Sequence, residues 1–181
     1  MNRHVLLAVA ALVLASCASP PGEVPADGSI PLAGAAAETC FTPGGDCTAW
    51  VVERIGRAQR EILVMGYHFS EKRIVDALVA AQHRGVRVQI VLDHSNERVR
   101  WSGLPLVRSA GITTYVDHSV AIAHNKVMVF DRTSVLTGSF NWTAAANERN
   151  AENLLLVRDS PALAAEYAAY WQRRADRAAG P

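Results

Sequence analysis

The chain carries almost no net charge: 18 Lys+Arg stand against 17 Asp+Glu in 181 residues. Setting aside the first 17 residues, which hold Arg3 and no acid, leaves 17 of each sign. Such a chain lacks the broad basic footprint of a tight nucleic-acid binder. The apolar stretch from Val5 to Ala15 is too short to span a bilayer comfortably. Cysteine is scarce, with three in all. Cys40 and Cys47 have no second Cys or His pair nearby at ligand spacing, which makes a metal pair the weaker reading of them. No internal repeat is found, so any motif present occurs once.

What is present begins with a leader. Met1-Asn-Arg3-His gives a charged start and Val5 to Ala15 a short apolar core, the pattern of a secretory signal. Leu14-Ala15-Ser16-Cys17 resembles the bacterial lipobox, in which the cysteine is lipidated and becomes the mature N-terminus. The rival reading is an ordinary secretory signal cut nearby. Acyl chains on Cys17 would anchor a soluble domain to a membrane face. Ala18 after the cysteine suits an outer-membrane lipoprotein if the source has an outer membrane. The expected location is therefore exported and membrane-anchored, at the periplasmic or outer-membrane face in that case. Residues 1–17 are read as signal, 18–38 as a flexible Pro/Gly/Ala-rich tether, and 39–181 as one folded domain. Thiols are oxidised outside the cytoplasm, so a short disulfide between Cys40 and Cys47, across the turn-forming Phe41–Asp46 loop, is expected.

Periodicity gives alternating elements. A helix capped by Asp46 or Thr48 runs to about Gln59, a strand covers Ile62 to Tyr67, and Glu71 to His83 is helical with Gly85 as the stop. A buried strand spans Val86 to Leu92, a short helix Gly103 to Ala110, and a strand Ile112 to Val116. Two further strands, Val127 to Phe130 and Ser134 to Phe140, precede a helical turn near Thr143 to Asn147. A strand from Asn153 to Val157 and a helix from about Pro161 to Arg177 end the chain. Strands separated by helices indicate an α/β sandwich.

The two strands after residue 120 carry the chemistry. They read His124-Asn-Lys126-Val-Met-Val-Phe-Asp131, then six residues, then Gly138-Ser139-Phe-Asn141. Side chains on a strand alternate faces, so an extended lead-in aims His124 and Lys126 the same way, and the second strand does this for Ser139 and Asn141. Were the strands neighbours, an imidazole, an ammonium, a hydroxyl and a carboxamide would converge on a patch suited to an anion. Histidine serves as base or nucleophile near neutral pH, lysine supplies compact charge for phosphate, and Ser and Asn donate to its oxygens. A metal site is the less favoured reading, because an ammonium two residues along the same face repels a divalent ion and has no lone pair to ligate it.

The spacing His-x-Lys-x4-Asp-x6-Gly-Ser-x-Asn resembles the signature of the phospholipase D superfamily, with every position filled. Met65-Gly-Tyr67-His-Phe69-Ser70, Arg84 to Asp93 and Asn150-Ala-Glu152-Asn-Leu resemble the small single-motif bacterial endonucleases of that superfamily. The resemblance runs from about Cys40 to Trp171. It implies an α/β/α sandwich with a mixed central sheet and a metal-independent phosphodiesterase, with no cofactor, working through a covalent phosphohistidine. By position, His124 is the implied nucleophile, Lys126 and Asn141 clamp the non-bridging oxygens, and Ser139 is a supporting donor. Glu152 falls where the family places a carboxylate bonded to the other imidazole nitrogen. Asp131 belongs to the signature and is expected to support local structure more than bond breaking.

Two-motif relatives place two such histidines across one phosphate. One motif per chain implies a homodimer with the active site at its interface, where two His124 rings meet across a twofold axis. The expected substrate is DNA, and RNA as well. The alternative is a glycerophospholipid, favoured by the neutral charge and the anchor, for which an apolar rim near the cleft is expected. A catalytically idle binder of either ligand is the third reading. Arg54, Arg57 and Arg60, and separately Arg98, Arg100 and Arg108 around Trp101, are candidate phosphate contacts. For the first group a solvated helix face is the default. His68 is expected beside or beneath the site and His118 in a solvated loop. His83 and His94 are read as surface residues.

Overall fold

Phe130, Asp131, Arg132 and Thr133 form a tight turn. The Thr133 amide donates to the Phe130 carbonyl at 3.0 Å, and both central residues have positive φ, 52° at Asp131 and 61° at Arg132. Turns of this hand match the twist of the strands they join, so the turn fixes the register of a hairpin between β5 (Lys126–Phe130) and β6 (Ser134–Gly138). The structure is a computed structural model that describes residues 28–178 of the chain. The leader, Cys17 and the tether up to residue 27 lie outside the described residues.

Around that hairpin stand β1 (Ala36–Thr42), α1 (Cys47–Arg57), β2 (Glu61–Gly66), α2 (Lys72–His83), β3 (Arg87–Asp93), α3 (Leu104–Ser109), β4 (Thr113–Asp117), α4 (Ala144–Glu148), β7 (Glu152–Arg158) and α5 (Pro161–Ala175). Seven strands form one mixed sheet in the order β1-β7-β6-β5-β2-β3-β4. The β2-β3-β4 half is parallel and the other pairings are antiparallel. The parallel half has the longer crossovers through α2 and α3, as parallel neighbours require. This is the mixed α/β sandwich anticipated from the sequence.

Helices cover both faces. Val51 and Ile55 of α1 and Ile74, Leu78 and Ala81 of α2 sit at helical spacing and are buried in the larger core, against Ile62, Val64 and Ile90. The Asp46 carboxylate accepts the Ala49 amide at 2.9 Å and caps α1. On the other face Ala164, Ala168 and Trp171 of α5 pack on Leu63, Met65, Val127 and Val129. The central strand β2 is buried along its whole length because it is covered from both sides.

The boundary at residue 38 moves. Strand β1 begins at Ala36, inside the stretch assigned to the tether, and pairs with β7 from Ala36↔Arg158 to Thr42↔Glu152. Its small residues carry little strand signal, and the pairing is made with a segment over 100 residues away. Cys40 and Cys47 are joined by a disulfide with Cα atoms 5.7 Å apart, tying the end of β1 to the start of α1.

Asp117, the last residue of β4, is fully buried. Its carboxylate accepts the Ser119 amide at 2.9 Å and hydroxyl at 2.8 Å, and pairs with Arg174 near the end of α5. Burial alone pushes this carboxyl's pKa up, but the hydrogen bonds from Ser119 and Arg174 and the guanidinium charge outweigh it and hold the group below the ordinary aspartate value. A depressed folded-state pKa contributes stability that is complete above the unfolded value of about 3.9 and is lost as pH falls through the folded one. Asp117→Asn leaves Arg174 buried without its counter-charge and should cost roughly 3 kcal/mol near neutral pH. Urea denaturation should show the gap to wild type narrowing below about pH 4. A gap of constant size across the acid range would contradict the ion-pair assignment.

Candidate active site

Register gathers the signature residues. Lys126, the first residue of β5, pairs with Gly66 at the end of β2. Val127 pairs with Thr137, which sets Lys126 beside Gly138, and Gly138 pairs with Leu154 near the start of β7. The carboxyl ends of β2, β3, β4 and β6 therefore share one edge of the sheet with the amino ends of β5 and β7. Tyr67, His68, His94, His118, His124, Ser139, Asn141 and Glu152 all lie on segments entering or leaving that edge.

Lys126 is buried while His124 is exposed. The Lys126 ammonium donates to the His124 backbone carbonyl at 2.9 Å, so the cation holds the extended lead-in that carries the imidazole. Burial lowers the Lys126 pKa, and the nearby Glu152 charge opposes that shift. Tyr67 forms an aromatic wall: its ring centroid is 4.6 Å from that of His124 and 4.0 Å from that of His68, with the Lys126 ammonium 5.3 Å away. Burial, then the charge of Lys126, lowers the pKa of His68, with a smaller push the same way from His124 and an opposing one from Asp93. Hence His68 borders the site and favours its neutral form.

Strand β6 stops at Gly138, short of the Phe140 expected, so alternation along a strand does not place Ser139 and Asn141. They follow a bend, held because the Ser139 amide donates to the Asn153 carbonyl at 3.0 Å. A Cβ on Gly138 would meet that carbonyl oxygen at 2.1 Å, which explains why the signature has glycine there. Phe140 and Trp142 turn into the core, and the Trp142 indole donates to the Met65 carbonyl at 3.0 Å. The Trp142 amide donates to the His68 carbonyl at 3.1 Å, and the Trp142 carbonyl accepts the Ser70 and Glu71 amides at 2.8 Å each. These bonds staple the Asn141 loop to the end of β2. The Asn141 carboxamide oxygen is buried without a partner among the described residues.

Ser139 and Glu152 differ from what the resemblance implies. The Ser139 hydroxyl donates to Glu152 and accepts the Asn153 amide at 3.0 Å. The second Glu152 oxygen accepts from the Asn150 carboxamide at 2.8 Å. Among the described residues no hydrogen bond reaches the His124 ring, so within one chain Glu152 orients Ser139 and not the imidazole.

Asp131 lies at the opposite end of β5, five residues and about 16 Å along the strand from Lys126. It is no part of the cluster. Its carboxylate accepts the amides of Gln59, Arg60 and Glu61 at 2.7 to 3.2 Å, tying the hairpin turn to the segment that enters β2. Arg54, Arg57 and Arg60 belong to that far edge too. Arg54 pairs with Glu38, Arg57 with Glu53, and Arg60 donates to the Asp131 carbonyl at 2.8 Å. They do not face the candidate site.

Asp93 was missed as a positioning residue. Buried at the end of β3, it accepts the Ser95 amide at 2.9 Å and the Ala123 amide at 2.7 Å, and so fixes the residue before His124. Burial raises its pKa, but the hydrogen bonds from Ser95 and Ala123 outweigh it and the net shift is downward. The available signal was an acid closing an otherwise apolar strand. His94, read as a surface residue, is half-buried, with its ring 5.4 Å from that of His118. His118 in turn contacts Glu97 at 3.2 Å.

A buried lysine and an exposed histidine at one edge of a mixed, helix-covered sheet define a phospholipase D-like domain. The family model described as "Cardiolipin synthase, PLD-like domain" matches residues 51–175, and the chain belongs to the phospholipase D superfamily. It is similar to a protein named Phospholipase D from Rickettsia felis, with 45% identity over 136 residues, 75% of this chain and 68% of the relative. Mitochondrial cardiolipin hydrolase from Xenopus tropicalis is 36% identical over 119 residues, 64% of this chain and 57% of that protein. Among solved structures, Nuc from Salmonella typhimurium, described as a phospholipase D family member, superposes with a TM-score of 0.77 at 33% identity. That match covers 81% of this chain and 98% of Nuc.

Asp131→Ala tests the division of the signature. It strips three amides at a partly solvated edge and should cost roughly 1–3 kcal/mol, measured by denaturant unfolding. Turnover of a soluble diester at a temperature where both proteins are folded should fall less than tenfold. A loss comparable to that of Lys126→Ala would put Asp131 back in the chemistry.

Proposed function

We propose that this chain is a homodimeric phosphodiesterase that works through a covalent phosphohistidine, with glycerophospholipid as its substrate. The observation that carries the chemistry is the exposed His124 imidazole on a lead-in held by the buried ammonium of Lys126. One His124 nitrogen attacks phosphorus while Lys126 and Asn141 bind the non-bridging oxygens, and the P–O bond to the leaving alcohol breaks. The partner subunit's His124, protonated, gives its proton to that alcohol. It then takes a proton from water as the water attacks phosphorus, which frees the first imidazole and releases phosphatidate. One ring must be neutral while its twin is charged, a state that two neighbouring imidazoles favour. We assign Glu152, which is occupied by Ser139 and Asn150 in its own chain, to orienting the partner subunit's ring. Lys126 supplies the charge a metal would supply elsewhere, so the reaction is expected to run in chelator. On the export reading, the enzyme works at a membrane face outside the cytoplasm.

The lipid reading is supported by the relatives named phospholipase D and cardiolipin hydrolase, and by the far-edge position of Arg54, Arg57 and Arg60. Cleavage of DNA or RNA is the second reading. It is favoured by the likeness to small single-motif endonucleases and by Arg98 and Arg100, which follow β3 at the site's edge. A panel of phosphatidylglycerol, plasmid DNA and RNA in chelator separates the two. His124→Ala should lose at least about 10³-fold activity on whichever substrate turns over. Sedimentation should give a dimer, and label from substrate phosphate should be trapped on His124. An active monomer, or label on another side chain, would overturn the mechanism. DNA cleavage without lipid turnover would replace the substrate.

A further inference from the structure

Nine large hydrophobic side chains are well exposed among the described residues, and five of them stand on two adjoining segments of the active edge. Val99 is 43% exposed, Trp101 74% and Leu106 52%, after β3; Val120 is 38% and Ile122 55%, between β4 and His124. The segments are joined by Asp93 to Ala123 at 2.7 Å, His118 to Glu97 at 3.2 Å, and the His94 and His118 rings. Asn96, Glu97, Val99, Leu104, Pro105 and Arg108 line one groove, which joins the first segment to α3 and holds one acid beside one arginine.

Charge separates the first segment from ordinary exposed surface. Arg98, Arg100 and Arg108 are exposed and make no ion pair among the described residues; exposed Arg149, Arg173 and Arg177 are unpaired as well, but only here do three such cations fall within eleven residues beside exposed apolar side chains. The Arg100 guanidinium lies 4.8 Å from the Trp101 ring centroid. From His94 to Ser109 the only acid is Glu97, and it faces His118.

We propose that Val99, Trp101 and Leu106, with Arg98, Arg100 and Arg108, form a docking surface for an anionic lipid bilayer. The inference deepens the phospholipid reading above and rests on it. An indole with aliphatic neighbours and unpaired arginines is the chemistry that settles at a headgroup boundary, with the apolar groups entering the acyl region and the cations meeting lipid phosphates. A single-stranded nucleic acid would use the arginines and the indole, but Val99 and Leu106 offer it no ring to stack on. Val120 and Ile122, which lead directly to His124, we assign to contact with the second subunit. Docking through the first segment then sets the active edge against the lipid surface.

The test uses the full chain with Cys17→Ser, so that no acyl group contributes, and vesicles of phosphatidylcholine alone or mixed with phosphatidylglycerol. Sedimentation with vesicles should favour the mixed ones, and His124→Ala should bind them as the parent does. Trp101→Ala should weaken that binding about tenfold, and Arg98→Gln and Arg100→Gln roughly fivefold each. Hydrolysis of bis-p-nitrophenyl phosphate should be unchanged in all three rim variants. Equal vesicle binding by Trp101→Ala, or no preference for anionic vesicles, overturns the proposal. Loss of the dimer in Trp101→Ala would make the rim a subunit contact. Loss of single-stranded DNA binding instead of vesicle binding would make it a nucleic-acid surface. Vesicles bound but not hydrolysed would leave the docking surface standing and remove the lipid substrate. Lipid hydrolysed in detergent micelles by a protein that ignores vesicles would do the reverse.

Discussion

Lys126 is one of only two lysines in a chain that otherwise uses arginine for positive charge, and it is buried at the rim of the sheet. Taking an ammonium out of water is expensive unless hydrogen bonds replace the lost hydration. Of its three donors, one is bound to the His124 carbonyl among the described residues. The remaining donors stand beside an aromatic wall, Tyr67, and across from Glu152, whose charge favours the ammonium without touching it. A cation left partly unsatisfied in a poorly hydrated pocket attracts an incoming phosphate more strongly than a solvated one would. This one buried charge, together with the Asp93 carboxylate that fixes Ala123, holds the lead-in that carries His124.

The sheet edge that holds Lys126 is built by long-range contacts. Asp93 fixes Ala123 across 30 residues, Asp117 binds Arg174 across 57, and Asp131 reaches Glu61 across 70. Two of these carboxylates close parallel strands at the active edge, and the third anchors the hairpin at the far edge. The signature Asp is therefore retained by a different constraint from the His and Lys with which it is written. It sets the register of β5 from the opposite end, and register brings Lys126 level with Gly66 and Gly138.

Much of this was legible in the chain. The apolar run Val127 to Phe130, ended by Asp131 and followed by a second apolar strand, marked two strands whose adjacency the structure supplies, and helical stripes such as Ile74, Leu78 and Ala81 marked the covering layers. Less visible was β1, since Ala36-Ala-Ala-Glu-Thr-Cys-Phe has few side chains that favour a pleated surface and exists as a strand only because β7 pairs with it. Ser139 and Asn141 reach the active edge by a route the sequence reading did not use. A steric limit at Gly138 and the bond to Asn153 put them at the edge, not two-residue alternation. The ties of Asp93, Asp117 and Asp131 depend on partners 30 to 70 residues away, which no local pattern encodes.

On the proposed two-histidine mechanism a single motif supplies half of the site, and the distribution of apolar side chains bears on how the other half would meet it. The segment from His118 to Ala123 is short, runs straight into His124, and is pinned at both ends by Asp117 and Asp93. Val120 and Ile122 are exposed on the segment that leads into His124, and on the proposed dimer a twin subunit would cover them. Trp101 belongs to a different segment, beyond the His94–Glu97 turn, where Arg98 and Arg100 flank it without ion pairs among the described residues. One surface cannot be sealed beneath a subunit and immersed in a bilayer at once. Separate segments for the two tasks let a dimer form over the histidines while the arginine-bearing rim stays outside it, next to the phosphate that the paired imidazoles would attack.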